Sequence, residues 1–166
     1  MDGTASEGYF ERLYSAHSAE VLRYALRRGA SHADAEEVVV ETFTVCWRRL
    51  NEVPDPALPW LLGVARRVLA NQWRAKGRRL AQQDRLAVSG RRASSNSADR
   101  DSDYPELREA LSSLKEPERE VLALVVWQGL THEAAAAVLG CTRNAVTKRY
   151  LCACRSLKAQ LSSRRT

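Results

Sequence analysis

The chain lacks the residues from which most enzyme centres are built. Its three histidines, His17, His32 and His132, include no pair at ligand spacing, and no glycine-rich stretch has the form of a phosphate cradle. The four cysteines, Cys46, Cys141, Cys152 and Cys154, show no metal spacing. Cys152 and Cys154, two apart in a predicted helix, point about 200° from one another, and the cysteines read as small apolar packing residues. No catalytic residue, metal or cofactor is expected. Long hydrophobic runs are missing too. The longest, Val121 to Trp127, is far too short to span a bilayer, and the first residues, Met-Asp-Gly-Thr-Ala-Ser-Glu, do not form a signal peptide. A reducing, cytoplasmic setting is the expectation. Alternating β-branched segments are scarce and no internal repeat is visible, which points away from sheets and solenoids.

What is present is charge, unevenly placed. Residues 1–50 hold six Arg and eight acids, residues 66–92 hold nine Lys/Arg against Asp84 alone, and residues 143–166 hold seven Lys/Arg and no acid. Two separated basic blocks fit a polyanion touched at two places. Apolar residues recur at three and four nearly everywhere, so the expected fold is all-α. Helices are predicted over Phe10–Arg28, from Ser31 or His32 to Leu50, and from Trp60 to about Ala75, where Gly77 loosens the chain. Asn51–Pro59, with Pro54, Pro56 and Pro59, reads as a loop. Residues 88–103 have almost no apolar content and cannot bury a core. The expected organisation is two small helical domains, 1–80 and 105–166, joined by a flexible linker over 81–104.

The second domain carries the most specific pattern. Gly129 to Arg155 reads as a short Ala-rich helix, a Leu139-Gly140-Cys141-Thr142 turn and a basic helix, which is a helix-turn-helix. Thr131 and Thr142 are placed to cap the two helices, and Gly140 sits where the turn calls for positive φ. With the helices around Leu107–Leu114 and after Pro117, this makes a four-helix domain. On its last helix Val146, Tyr150, Ala153 and Leu157 form the inward stripe, leaving Arg143, Asn144, Thr147, Lys148, Leu151 and Arg155 outward. Arg and Asn at a recognition-helix start are the types that read base edges; Lys148, Arg149 and Arg155 suit phosphates.

Two further faces stand out. On the helix from Asp34, Val39, Phe43, Cys46 and Leu50 form the core stripe, while Asp34, Glu37, Val40, Glu41, Thr44 and Arg48 face away. An apolar Val40 amid acids suggests a partner surface with a charged rim. On the helix from Trp60, Gly63, Arg66, Arg67, Ala70 and Arg74 share the outer side, with Trp60 and Trp73 nearby. Aromatics beside cations suit the stacking of unpaired bases.

These segments together resemble a known family. Asp34-Ala-Glu-Glu-Val-Val-Val-Glu-Thr-Phe43 with Cys46-Trp47 resembles region 2.2 of the extracytoplasmic-function (ECF) sigma factors, within the sigma-70 family of bacterial RNA polymerase. Trp60-Leu-Leu-Gly-Val-Ala-Arg66 resembles the start of their region 2.3–2.4 helix. Leu114-Lys-Glu-Pro-Glu-Arg-Glu-Val-Leu122 and Gly129–Arg155 resemble region 4. The resemblance implies a promoter-specificity subunit that binds core RNA polymerase through the clamp helices of the largest subunit and the flap. It implies promoter DNA, both duplex and single-stranded, as a second partner and allows an anti-sigma factor as a third. Carried over by position, the polymerase face falls on Asp34, Glu37, Val40, Glu41 and Phe43. The −10 element falls on Trp60, Arg66, Arg67, Asn71 and Arg74, and the −35 element on Arg143, Asn144, Thr147, Lys148, Arg149 and Arg155. Val40 stands where Gln is common in the family, Arg67 where Asn is common and Thr147 where Lys is frequent. The competing reading is a stand-alone helix-turn-helix repressor or activator, which would leave the Asp34–Phe43 face and the Trp60 segment without a use.

Overall fold

The computed structural model describes residues 3–85 and 104–163, and every regular element among them is helical. The helices are α1 (Gly3–Arg27), α2 (His32–Arg48), α3 (Leu58–Asp84), α4 (Pro105–Ser112), α5 (Glu116–Leu122), α6 (His132–Leu139) and α7 (Arg143–Ser163). A 3-10 turn, Leu50–Glu52, follows α2, and a π-helical turn, Ala123–Trp127, continues α5. Two compact units result. One takes in the described residues up to Val53 and from Val64 to Arg85; the other takes in Pro54–Gly63 and the described residues from Tyr104. The expected division near residue 80 had assigned Pro54–Gly63 to the first domain.

In the first unit, local chemistry sets the helix ends. Gly29 takes φ 94°, and the Ala30 N–H reaches the Ala25 carbonyl at 3.1 Å, closing α1 in a Schellman-type cap. Ser31 then caps α2, its Oγ accepting the Asp34 N–H at 3.2 Å. The tight connection folds α1 and α2 into an antiparallel hairpin, so that Phe10 near the start of α1 meets Trp47 at the end of α2. Val21, Tyr24, Ala25, Ala35, Val38 and Cys46 are wholly buried. Burial pushes the Cys46 thiol above its ordinary pKa. On α3, Val64, Ala65, Val68 and Leu69 form a buried stripe. Lys76 pairs with Asp34, and the Arg28 guanidinium lies 5.5 Å from the Trp73 ring centroid, so both tie α3 to the hairpin.

The third helix corrects the expectation of an end near Ala75. It runs unbroken through Gly77 to Asp84. One glycine costs a helix about 1 kcal/mol relative to alanine, and the Arg, Leu, Ala and Gln residues of 78–83 outweigh it. The expected linker of 81–104 therefore begins inside α3, and its remaining part from 86 to 103 lies outside the described residues.

In the second unit, Pro105 and Pro117 each sit in a first helical turn, where a missing N–H costs nothing. Leu114, Leu122 and Ala153 form a buried cluster against which Leu111, Tyr150, Cys154 and Leu157 pack. Leu124, Val121, Ala135 and Val146 are also wholly buried. The four helices α4–α7 make the expected four-helix domain.

Candidate functional site

The helix-turn-helix is built as its sequence predicts. Thr131 accepts the Ala134 N–H at 3.1 Å and Thr142 the Ala145 N–H at 3.2 Å, so both helices are capped by hydroxyls. Gly140 between them has φ 64°, and the Cys141 N–H closes on the Ala136 carbonyl at 3.1 Å. Ala135 and Ala136 are buried, which lets α6 lie close to α7.

On α7, Arg143, Asn144, Lys148 and Arg155 are exposed, as is Leu151. Thr147 and Arg149 are half-buried and make contacts within the fold. The Thr147 hydroxyl lies 2.9 Å from His132 Nδ1 and donates to the Arg143 carbonyl at 3.1 Å. The His132 ring also packs 5.2 Å from that of Tyr150. Arg149 points a guanidinium nitrogen at Cys141 Sγ, 3.8 Å away. These contacts fix how the turn and α7 meet, and the residues at the helix start, Arg143 and Asn144, stay exposed.

On α2, Glu37, Val40, Glu41 and Thr44 are exposed on one face, with Val40 at 65%. Two more residues of the expected partner face, Asp34 and Phe43, make contacts within the fold. The Asp34 carboxylate accepts the Lys76 ammonium and the Ser31 hydroxyl, the latter at 2.7 Å. Lys76 first and Ser31 second hold its pKa below the ordinary carboxylate value. Phe43, at 3% exposure, lies under the surface, its ring 4.9 Å from that of Tyr14 and 6.1 Å from that of Phe10. Sequence reasoning had put Phe43 on both the core stripe and the docking face; the core position is the one seen.

The same cluster shows surface residues that sequence reasoning missed. Phe10 meets Trp47 edge-on at 5.2 Å, and Trp47 and Tyr14 are each nearly half exposed. Trp47 lies seven residues after Val40, about 20° away around the helix, so the spacing could have found it. The α2 face is thus an apolar strip, Val40 to Trp47, bordered by Glu37 and Glu41.

On α3, Arg67, Asn71 and Arg74 are exposed, while Trp60 and Arg66 are half-buried. Arg74 donates to the Asn71 side-chain oxygen one turn back, which orders both on one side. Among the described residues no group of three or more His, Cys, Asp or Glu could hold a metal ion, and no helix is long and apolar enough to cross a membrane.

Comparison with known proteins bears on these surfaces. The family described as Sigma-70 region 2 matches residues 13–79, and Sigma-70 region 4 matches residues 104–157. The ECF RNA polymerase sigma factor SigL of Mycobacterium tuberculosis is 28% identical over 161 residues, covering 95% of this chain and 91% of that protein. Sigma factor RpoE of Bartonella quintana, solved in complex with the anti-sigma factor NepR, superposes with a TM-score of 0.71 at 23% identity, over 92% of this chain and 96% of that one. CnrH, solved in complex with the cytosolic domain of CnrY, gives 0.65 at 24% identity, over 93% of this chain and 88% of that one. These two share the fold. With region 2 matched over α1–α3, region 4 matched over α4–α7, and a sigma factor related over nearly its whole length, the chain belongs to the ECF sigma factors of the bacterial sigma-70 family.

Proposed function

We propose that this sigma factor docks on core RNA polymerase through the α2 strip, takes unpaired −10 bases on the segment from Asn51 through the exposed side of α3, and reads the −35 duplex with α7. The observation that carries the reading is the exposed Val40 within an acidic rim on a chain that also holds a helix-turn-helix. A stand-alone repressor has no use for that face. Docking supplies proximity, so neither DNA-reading surface needs high affinity by itself. Bases drawn out of the duplex gain stacking and pocket contacts, which offset the cost of opening. No bond is made or broken by this chain. The strip and the basic faces are also what an inhibitor would have to cover, and an anti-sigma protein is the regulatory partner this reading expects.

Run-off transcription with core polymerase and promoter DNA tests it. Specific initiation is expected, and Glu41→Lys, at an exposed position outside the core, is expected to abolish it while leaving the fold intact. Tight duplex binding by the protein alone, with no initiation on adding core, would replace this reading with the repressor or activator.

A further inference from the structure

Leu151 places a large apolar side chain within the basic outer face of α7. It is 49% exposed, and residues 143–166 around it hold seven Lys/Arg and no acid. Around the helix it lies about 20° from Asn144, about 40° from Thr147 and Arg155, and about 60° from Lys148. Asn144, Thr147, Lys148 and Leu151 are spaced i, i+3, i+4 and i+7, the spacing that lines one side of a helix laid along a groove. Thr147, one turn before Leu151, has its hydroxyl committed inside the fold, 2.9 Å from His132 Nδ1 and donating to the Arg143 carbonyl at 3.1 Å. What Thr147 has left to offer a partner is its methyl group. A Lys here, frequent in the family, would present a charge instead. A single exposed leucine is ordinary on a protein surface. Here it stands beside a second apolar group, with Asn144, Lys148 and Arg155 exposed around it. Those flanks fit nucleic acid, and the apolar group that a major groove presents is the thymine C5-methyl.

We propose that Leu151 and the Thr147 methyl are specificity determinants that read thymine methyl groups in the −35 element. The inference rests on the reading that α7 lies in the −35 major groove, and it names what that groove must hold, which is A·T pairs with thymine methyls toward these two side chains. Thr147 and Leu151 are about 6 Å apart in rise, and base pairs stack at about 3.4 Å, so the two methyls belong to pairs one or two steps apart. Arg143 and Asn144 keep the hydrogen-bonding readout at the helix start. The methyl contacts add discrimination against cytosine, which lacks the C5-methyl, without any further polar group on the protein.

The test uses the assembled holoenzyme and promoter duplexes in which each −35 thymine is replaced singly by deoxyuridine, which removes the methyl alone. The dissociation constant is expected to rise about fourfold at one or two positions, the loss of one buried methyl at about 0.8 kcal/mol, with 1.4 kcal/mol per tenfold. Leu151→Ala should bind the thymine duplex more weakly and no longer distinguish thymine from uracil at one of these positions. Thr147→Ser, which keeps the hydroxyl and deletes the methyl, should lose the distinction at the other. Lys148→Ala, a phosphate type, should weaken both duplexes alike and keep the distinction. A wild-type holoenzyme that binds thymine and uracil duplexes alike at every −35 position overturns the proposal, as does a −35 element without A·T pairs. A Leu151→Ala loss of equal size on both duplexes overturns the methyl contact, and weakened binding to core polymerase without DNA makes Leu151 a protein contact instead. Whole base-pair substitutions keep the underlying reading separate. If they cost affinity where deoxyuridine does not, the methyl contacts alone fall; if neither has an effect, α7 does not read the −35 element and both readings fall. Circular dichroism of both variants checks that α7 stays helical.

Discussion

Asp34 shows how a side chain singled out in sequence for a surface role also ties the fold together. Its acid at the third position of α2 suits both a docking rim and the helix dipole. In the fold it accepts Lys76 from α3 and the hydroxyl of its own cap, Ser31. The pKa is lowered on folding, so the contribution to stability is complete above the unfolded value of about 3.9 and is lost as pH falls through the lower folded value. Lys76 is half exposed, so the pair contributes under about 1 kcal/mol. Asp34→Asn should therefore lower stability at pH 7 by that amount and make it less sensitive to pH below about 4. Urea unfolding at pH 7 and pH 3 checks this; an equal gap between variant and wild type at both values would show that the ion pair is not its source. Arg143 is the contrasting residue, exposed at the first position of α7. Changing it to Ala should cost about 1–3 kcal/mol at a single −35 base pair. Binding across a set of base-substituted promoters separates that result from a uniform loss, which would mark a phosphate contact.

At the scale of elements, two glycines with opposite roles explain which parts of the fold were legible. Gly140 holds φ 64° at the end of α6, where any side chain is strained whatever the space around it. Gly77 sits inside α3 with open space where a Cβ would go. Gly140→Ala should destabilise the second unit by about 1 kcal/mol or more, whereas Gly77→Ala should stabilise α3 by up to about 1 kcal/mol. Thermal unfolding of the two variants measures both, and a shift of the same sign would contradict the assignment. The helix-turn-helix was readable because each boundary has a local cause, a capping Thr at 131 and 142 and a positive-φ Gly at 140. The length of α3 was not, since a lone glycine in a run of strong helix formers is a weak stop. The surfaces divide similarly. Exposure of Val40 follows from period alone, but the burial of Phe43 beneath Tyr14 and the turning of Thr147 toward His132 depend on neighbours from other helices. Helical phase within one segment leaves those neighbours unspecified.

Across the whole molecule, the charge is arranged so that recognition is divided between partners. The acidic first fifty residues, with the α2 strip, face a protein in the proposed function, and the basic blocks of α3 and α7 face DNA. A chain with a net charge of +6 and cations on both blocks binds any duplex weakly; non-specific affinities of this electrostatic kind are about 10⁻⁴–10⁻⁶ M at physiological salt. Specific readout by one short recognition helix adds a few bidentate contacts at about 1–3 kcal/mol each, and Thr147 and Arg149 are already engaged within the fold. The protein alone should therefore bind promoter duplex in the micromolar range or weaker, with little preference for promoter over random sequence and a steep salt dependence. Adding core polymerase should bring both surfaces to one promoter at high effective concentration and raise the preference by orders of magnitude. Fluorescence anisotropy with labelled promoter and scrambled duplexes, with and without core, measures each of the four affinities. A nanomolar complex of the protein alone with the promoter, carried by a dimer on paired half-sites, would place all the recognition in α7 and leave the α2 strip without the role argued for it.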